Sequence, residues 1–289
     1  IFDANTTTSH ISEILVTNGG NANGGVIKFN NNAGPGQFRI ANINAATAGK
    51  GKLAIHENTT FLAIDANTGI KIGTAQLPIF SVEMNNGNKT LTVPHGSEIY
   101  AQQLNTAGNA NGTLVFEGDA TFSAASNTNT LHTVNVNGAN KTVKILKDLS
   151  LHTGGIKVAD TATVEISGNI TGANAATIRG AAANQGILKF TNTAAVAATG
   201  MTVGNGGNFL KTIEFAGGAV TFDNASVITH NTNDFVFSGG NATKVTLGNA
   251  TDVTLATFRN TNTTGVTPTV VLGVTQAFNG AKLGDGAAG

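Results

Sequence analysis

Apolar residues recur two apart along much of the chain, with a polar or small residue between them. Val26-Ile27-Lys28-Phe29, Thr113-Leu114-Val115-Phe116, Thr133-Val134-Asn135-Val136 and Val143-Lys144-Ile145 have this form, as do Thr163-Val164-Glu165-Ile166, Ile187-Leu188-Lys189-Phe190, Thr212-Ile213-Glu214-Phe215 and Lys244-Val245-Thr246-Leu247. A period of two puts alternate side chains on opposite faces of a strand, one buried and one wet. The buried members are β-branched, Leu or Phe, and the wet ones are often Thr, Lys or Glu, a strand composition. Between the segments stand Asn-Gly, Gly-Gly, Gly-Asn and Gly-Asp pairs, which accept positive φ and turn the chain sharply. No stretch reads as a helix; Ala45 to Lys50 and Thr193 to Thr199 are Ala-rich but short and unpatterned.

The segments resemble one another. Asn23 to Phe29, Asn111 to Phe116 and Asn184 to Phe190 share a Gly turn followed by two apolar residues two apart. Asn88 to Val93 and Asn140 to Ile145 form a second set, with Asn241 to Leu247 a looser copy. Leu131 to Gly138 matches Leu210 to Gly217. The separations between copies vary, which argues against the fixed blades of a propeller. A β-sandwich needs fewer, longer strands and usually aromatics such as Trp or Tyr in its core. A solenoid keeps strands stacked while its turns vary in length. The expected fold is therefore all-β: a parallel β-helix, right-handed, with irregular rungs of about 20–25 residues. It is expected to run through residues 1–289 as a single continuous segment. The abrupt start at Ile1 and the end at Gly289 suggest a piece of a longer surface polypeptide.

Composition narrows function. Charged residues are 11 % of the chain, and 16 basic residues balance 16 acidic ones. That balance argues against the basic patch of a nucleic-acid binder and the polybasic stretch of a membrane-surface protein. No apolar run nears the length of a membrane helix, so no membrane insertion by this segment is expected. The absence of cysteine removes disulfides, thiolate metal sites and a thiol nucleophile.

A β-helix can carry a glycan-cleaving site, which needs paired carboxylates. The best candidates are Glu117 and Asp119 around Gly118; Asp160 with Glu165, and Asp148 alone, are weaker. The histidines, His10, His56, His95, His132, His152 and His230, are scattered and lack ligand spacing on one element. His132 and His152 would neighbour each other if a rung takes about twenty residues. Gly204 to Asn208 is Gly-rich but lacks the Lys-Ser/Thr ending of a phosphate loop, and Gly280 to Gly286 holds a single Asp, short of a calcium repeat. Tyr100 and fifteen Phe, without Trp, give a poor sugar platform; the Phe are expected in the core. Asn-x-Ser/Thr occurs at Asn5, Asn58, Asn88, Asn140, Asn169, Asn241, Asn249 and Asn262, read here as chance in an Asn- and Thr-rich chain. The expectation is no enzyme, no catalytic residue, no metal and no cofactor.

Asn23 to Asn30, Gly112 to Gly118, Leu210 to Phe215 and Gly217 to Asp223 resemble, in repeat style, the passenger regions of rickettsial surface-antigen autotransporters of the outer membrane protein B type. The resemblance implies a passenger at the bacterial cell surface, outer-membrane associated, exported through a C-terminal β-barrel. It also implies a structural and adhesive role, with a host-cell surface protein or neighbouring copies as partners. A self-assembling extracellular filament and a glycan-processing β-helix are the alternatives.

Overall fold

The computed structural model describes residues 10–17, 24–29, 36–84, 89–106, 112–126, 131–173, 176–204, 207–223, 226–228, 234–239, 244–248, 257–262, 267–272 and 282–283. Among them every regular element is a strand, and the strands pair in parallel. The chain forms a β-solenoid, and it divides into two compact units, Ile1–Asn135 and Val136–Gly289.

The first unit holds β1 (His10–Val16), β2 (Val26–Phe29), β3 (Gly36–Ala45), β4 (Lys50–Ile55), β5 (Thr59–Phe61) and β6 (Lys71–Ile72). It continues with β7 (Ile79–Met84), β8 (Thr90–Val93), β9 (Ser97–Thr106), β10 (Thr113–Phe116) and β11 (Ala120–Ser126); β12 (Leu131–Val136) reaches its boundary. Three ladders result. β2, β4, β7 and the end of β9 stack on one another. The start of β3, β5, β8 and β10 make a second stack. β1, the rest of β3, β6, the start of β9 and β11 make the third. The long strands β3 and β9 therefore each turn a corner and serve two faces.

The second unit holds β13 (Thr142–Ile145), β14 (Leu149–Val158), β15 (Thr163–Ile166), β16 (Ile170–Gly172), β17 (Thr177–Gly180), β18 (Ile187–Phe190), β19 (Val196–Thr199) and β20 (Thr202–Val203). It goes on through β21 (Thr212–Phe215), β22 (Val220–Phe222), β23 (Val227–Ile228), β24 (Asp234–Phe237), β25 (Lys244–Leu247), β26 (Thr257–Asn260), β27 (Thr269–Leu272) and β28 (Lys282–Leu283). One ladder runs β13, β15, β18, β21, β24, β26, β28. A second runs from the start of β14 through β16, β19, β22, β25 and β27. A third runs from the end of β14 through β17, β20 and β23.

Rung length varies more in the first unit than in the second. In the second, Thr142 lies opposite Thr163, and the ladder continues to Ile187, Thr212, Asp234, Thr257 and Lys282, in steps of 21, 24, 25, 22, 23 and 25 residues. These fall in the expected range. In the first, Gly36 lies opposite Thr59 and Thr90 opposite Thr113, steps of 23, but Val26 lies opposite Lys52, Lys50 opposite Ile79 and Thr59 opposite Leu91, steps of 26, 29 and 32. The two longest of these steps take in the loops at 62–70 and 73–78.

Inside each rung the apolar parity meets itself. Val143, Val164, Leu188, Ile213, Phe235 and Phe258 form one buried file; Ile145, Ile166, Phe190, Phe215 and Phe237 form the next. The Phe rings stack rung on rung: Phe190 to Phe215 at 5.6 Å and 5°, and Phe215 to Phe237 at 5.4 Å and 23°. Parallel in-register stacking makes such like-on-like files. In the first unit Phe29 meets Phe38 and Phe61 edge-on, at 4.7 and 5.3 Å. Where a large residue crosses from one face, a small one faces it: a Cβ on Gly172 would collide with Sδ of buried Met201. Each of the eight segments singled out by alternation is a strand or lies within one. Of the two Ala-rich stretches, 46–49 is a turn and Val196–Thr199 is β19.

Candidate functional site

The turn carrying Glu117 and Asp119 joins β10 to β11. It lies on the preceding corner, Pro94-His95-Gly96. Asp119 N–H donates to His95 Nδ1 at 3.1 Å, and its carboxylate lies 3.4 Å from the same nitrogen. Gly96 N–H donates to the Asp119 carbonyl at 2.7 Å, and Glu117 N–H to the Val93 carbonyl at 3.0 Å. Gly118 is required, because a Cβ there would overlap the His95 side chain. Asp119 thus closes one corner onto the next, through an imidazole that its sequence position, 24 residues away, does not advertise. Glu117 is exposed.

The other acidic candidates are also built into the coil. Asp148 Oδ1 accepts from Asn169 N–H at 2.8 Å, and Asn169 Oδ1 in turn accepts from Ala197 N–H at 2.9 Å. Side chains of successive corners so cap the backbone donors of the next, meeting groups that turns leave unpaired. Asp160 precedes Thr161, whose φ is 55°, in the turn before β15. Glu165 stands on the outer face of β15, 3.9 Å from Lys189.

His10 lies on β1, His56 just after β4, His132 on β12 and His152 on β14; His230 is outside the described residues. His132 belongs to the first unit and His152 to the second. Each places Nδ1 against the hydroxyl of the following threonine, at 2.8 and 3.2 Å. Among the described residues no three His, Asp or Glu side chains converge on a point where a metal ion would sit. Of Gly204 to Asn208, residues 205 and 206 are outside the described set, as is Gly280 to Gly286 apart from Lys282 and Leu283.

The Asn-x-Ser/Thr positions serve the corners as well. Asn58 Oδ1 accepts from Thr90 N–H at 2.9 Å, Asn169 caps as above, and Asn262 Nδ2 donates to the Gly239 carbonyl. Asn140 takes φ 57°, and its N–H donates to Thr161 Oγ1 at 3.0 Å. The side-chain amides of Asn58, Asn169 and Asn262 are thus each engaged with an adjacent rung. Asn5, Asn88, Asn241 and Asn249 lie outside the described residues.

The outer face of the second unit's first ladder carries a pattern that reading segment by segment missed. Lys144, Glu165, Lys189 and Glu214 lie in register, so charge alternates rung by rung. Lys189 Nζ sits 3.9 Å from Glu165 and 3.3 Å from Glu214. Farther on, Arg259 pairs with Asp234 and Ser238 with Glu214. The first unit has Lys52 with Glu83 at 2.9 Å, Lys71 with Glu98 at 3.5 Å and Lys89 with Glu57 at 2.7 Å. The Lys52 ammonium also lies 5.4 Å from the Phe80 ring centre. In the sequence the signal is the middle residue of each apolar-x-apolar triplet, which reads Lys, Glu, Lys, Glu once the triplets are aligned.

No family model matches the chain, and no curated protein or solved structure matches it. Among the described residues no helix is long and apolar enough to cross a membrane.

Proposed function

We propose that this chain is a structural and adhesive protein of the bacterial cell surface, acting by contact rather than by catalysis. The observation that carries the reading is the make-up of the outward ladder positions. They hold Thr, Asn and Ser beside mutually neutralising Lys–Glu pairs, so one weakly charged, hydrogen-bonding texture repeats rung after rung. Such a face suits many weak contacts with a host-cell surface protein, and the corner caps and core files hold it rigid. Together with the repeat style, it supports the role of an outer-membrane-associated autotransporter passenger of the rickettsial surface-antigen type.

Beads coated with the purified chain should attach to cultured epithelial cells in a saturable way, and free chain should compete. Attachment no greater than that of albumin-coated beads would sink the reading. Contact with neighbouring copies is the second reading. It is favoured by β27, where Val271 and Leu272 are 37 % and 44 % exposed on a strand paired with β25. Sedimentation velocity across a hundredfold concentration range tests it: growth of larger species that Leu272→Lys abolishes is expected, and a concentration-independent monomer contradicts it.

A further inference from the structure

The charged ladders pair opposite signs with one exception. On the third ladder of the second unit, Lys157 of β14 lies in register with Arg179 of β17. Among the described residues this is the one register pair that sets a lysine beside an arginine. Ile156 and Ile178, also in register, and Val158 point into the core, so Lys157 and Arg179 point outward. Neighbouring strands stand about 4.8 Å apart, and like charges at that spacing repel. No carboxylate offsets them: neither side chain takes part in any ion pair among the described residues, whereas Lys189, Lys52, Lys71, Lys89 and Arg259 each have an acidic partner.

Two further features turn this exception into a site. Arg179 Nε is buried and has no hydrogen-bond acceptor among the described residues. A buried donor without a partner is costly, and a planar guanidinium is built to meet an oxyanion with two parallel N–H groups. On the next rung the chain passes through Thr202 and Val203 to Gly204, whose N–H donates to the Ile178 carbonyl at 2.7 Å. The position in register with Arg179 on the next rung therefore carries no side chain.

We propose that Lys157 and Arg179 bind an oxyanion group, sulfate or carboxylate, carried on an acidic polysaccharide. The surroundings favour a glycan over a protein partner. Thr202 on the adjacent strand offers a hydrogen bond to hydroxyl groups, and among the described residues β14, β17 and β20 expose no large apolar side chain to anchor a protein partner. A free ion meets only two half-buried cations and is easily displaced by salt; a polymer gathers many such contacts. The site is independent of whether the chain adheres to cells.

The test is cell-free, on the full chain. Binding of a heparin-derived octasaccharide, a hyaluronate octasaccharide and inorganic sulfate is measured by calorimetry at 50 and 300 mM salt. At least one oligosaccharide should bind at low salt and weaken at least tenfold at high salt, and sulfate alone should bind at least tenfold more weakly. Preference for the first or second oligosaccharide assigns sulfate or carboxylate. Arg179→Gln with Lys157→Gln should lose at least tenfold in affinity, while Lys244→Gln on β25 should change it less than twofold. Lys157→Glu guards against misfolding: it recreates the opposite-sign pairing of the other ladders, so it should raise the melting temperature while abolishing binding. Absence of oligosaccharide binding, equal loss in the Lys244 variant, or a Lys157→Glu chain that is less stable or still binds would each overturn the proposal.

Discussion

Replacing Phe215 by alanine tests the solenoid core where it is most connected. The ring is fully buried on β21 and lies 5.6 Å from Phe190, 5.4 Å from Phe237 and 5.6 Å from Phe235. Truncating a buried Phe to Ala costs about 3–5 kcal/mol in transfer and cavity terms. Each lost ring pair is worth about 0.5–1.5 kcal/mol beyond area, though part of that is already in the mutational range. A loss of about 4 kcal/mol is therefore expected, and about half of that or less for Phe215→Leu, which keeps most of the volume. Because each rung touches only its neighbours, the loss should stay local. With no Trp and one Tyr in the chain, hydrogen exchange read by mass spectrometry is the suitable assay. Amides of β18, β21 and β24 should exchange roughly a thousandfold faster, the equivalent of about 4 kcal/mol. Amides of β4 and β7 should be unchanged. Acceleration of less than tenfold at β21, or an equal acceleration in both units, would refute the reasoning.

Three other outcomes follow from the corners and ladders. Lys189→Glu puts like charges in register across β15, β18 and β21 and should cost about 1–2 kcal/mol by urea denaturation, a loss that shrinks in 1 M salt because the groups are partly exposed; a loss that grows with salt would contradict the ladder. Gly155 has φ 67° and faces the Thr177 backbone so closely that a Cβ cannot fit, whereas Gly207 has φ 89° with open space around it. Gly155→Ala should therefore lower the melting temperature far more than Gly207→Ala, whose cost is about 1 kcal/mol of backbone strain. The Asp65 carboxyl is held below its ordinary value, first by the Asn67 N–H and then by the Thr68 hydroxyl. Its turn should be stabilised at neutral pH and lose that support as pH falls through the lowered value; an NMR titration midpoint at or above that of an unstructured Asp would contradict it.

The sequence displays the single strand far better than the coil. β10, β13, β15, β18 and β21 are legible because a short strand with one buried face must alternate. β14 is not, because it bends at Gly154-Gly155 and its burial alternation slips phase there, so one continuous strand reads as two unrelated fragments. The similar segments mislead about register for a related reason. Asn140 to Ile145 and Asn241 to Leu247 resemble each other, yet β13 and β25 belong to different faces. Every face needs the same apolar-x-apolar triplet, so likeness reports the pattern and not the position in the coil. The Asp119–His95 contact and the Lys–Glu ladder share this limit. Their partners lie one rung apart, and rung length is set by corner loops whose size the alternation does not encode.

The alternating ladder of Lys144, Glu165, Lys189 and Glu214 works as a parity count on the chain's own history. Excising the rung of β15 would bring Lys144 against Lys189, and excising that of β18 would bring Glu165 against Glu214; removing both together brings Lys144 against Glu214 and restores the match. The core files impose no such rule, since any apolar triplet stacks on any other. Along β13, β15, β18 and β21, charge thus makes insertions and deletions cheapest in pairs of rungs, and a variant lengthened or shortened there by whole pairs keeps its outer face in balance.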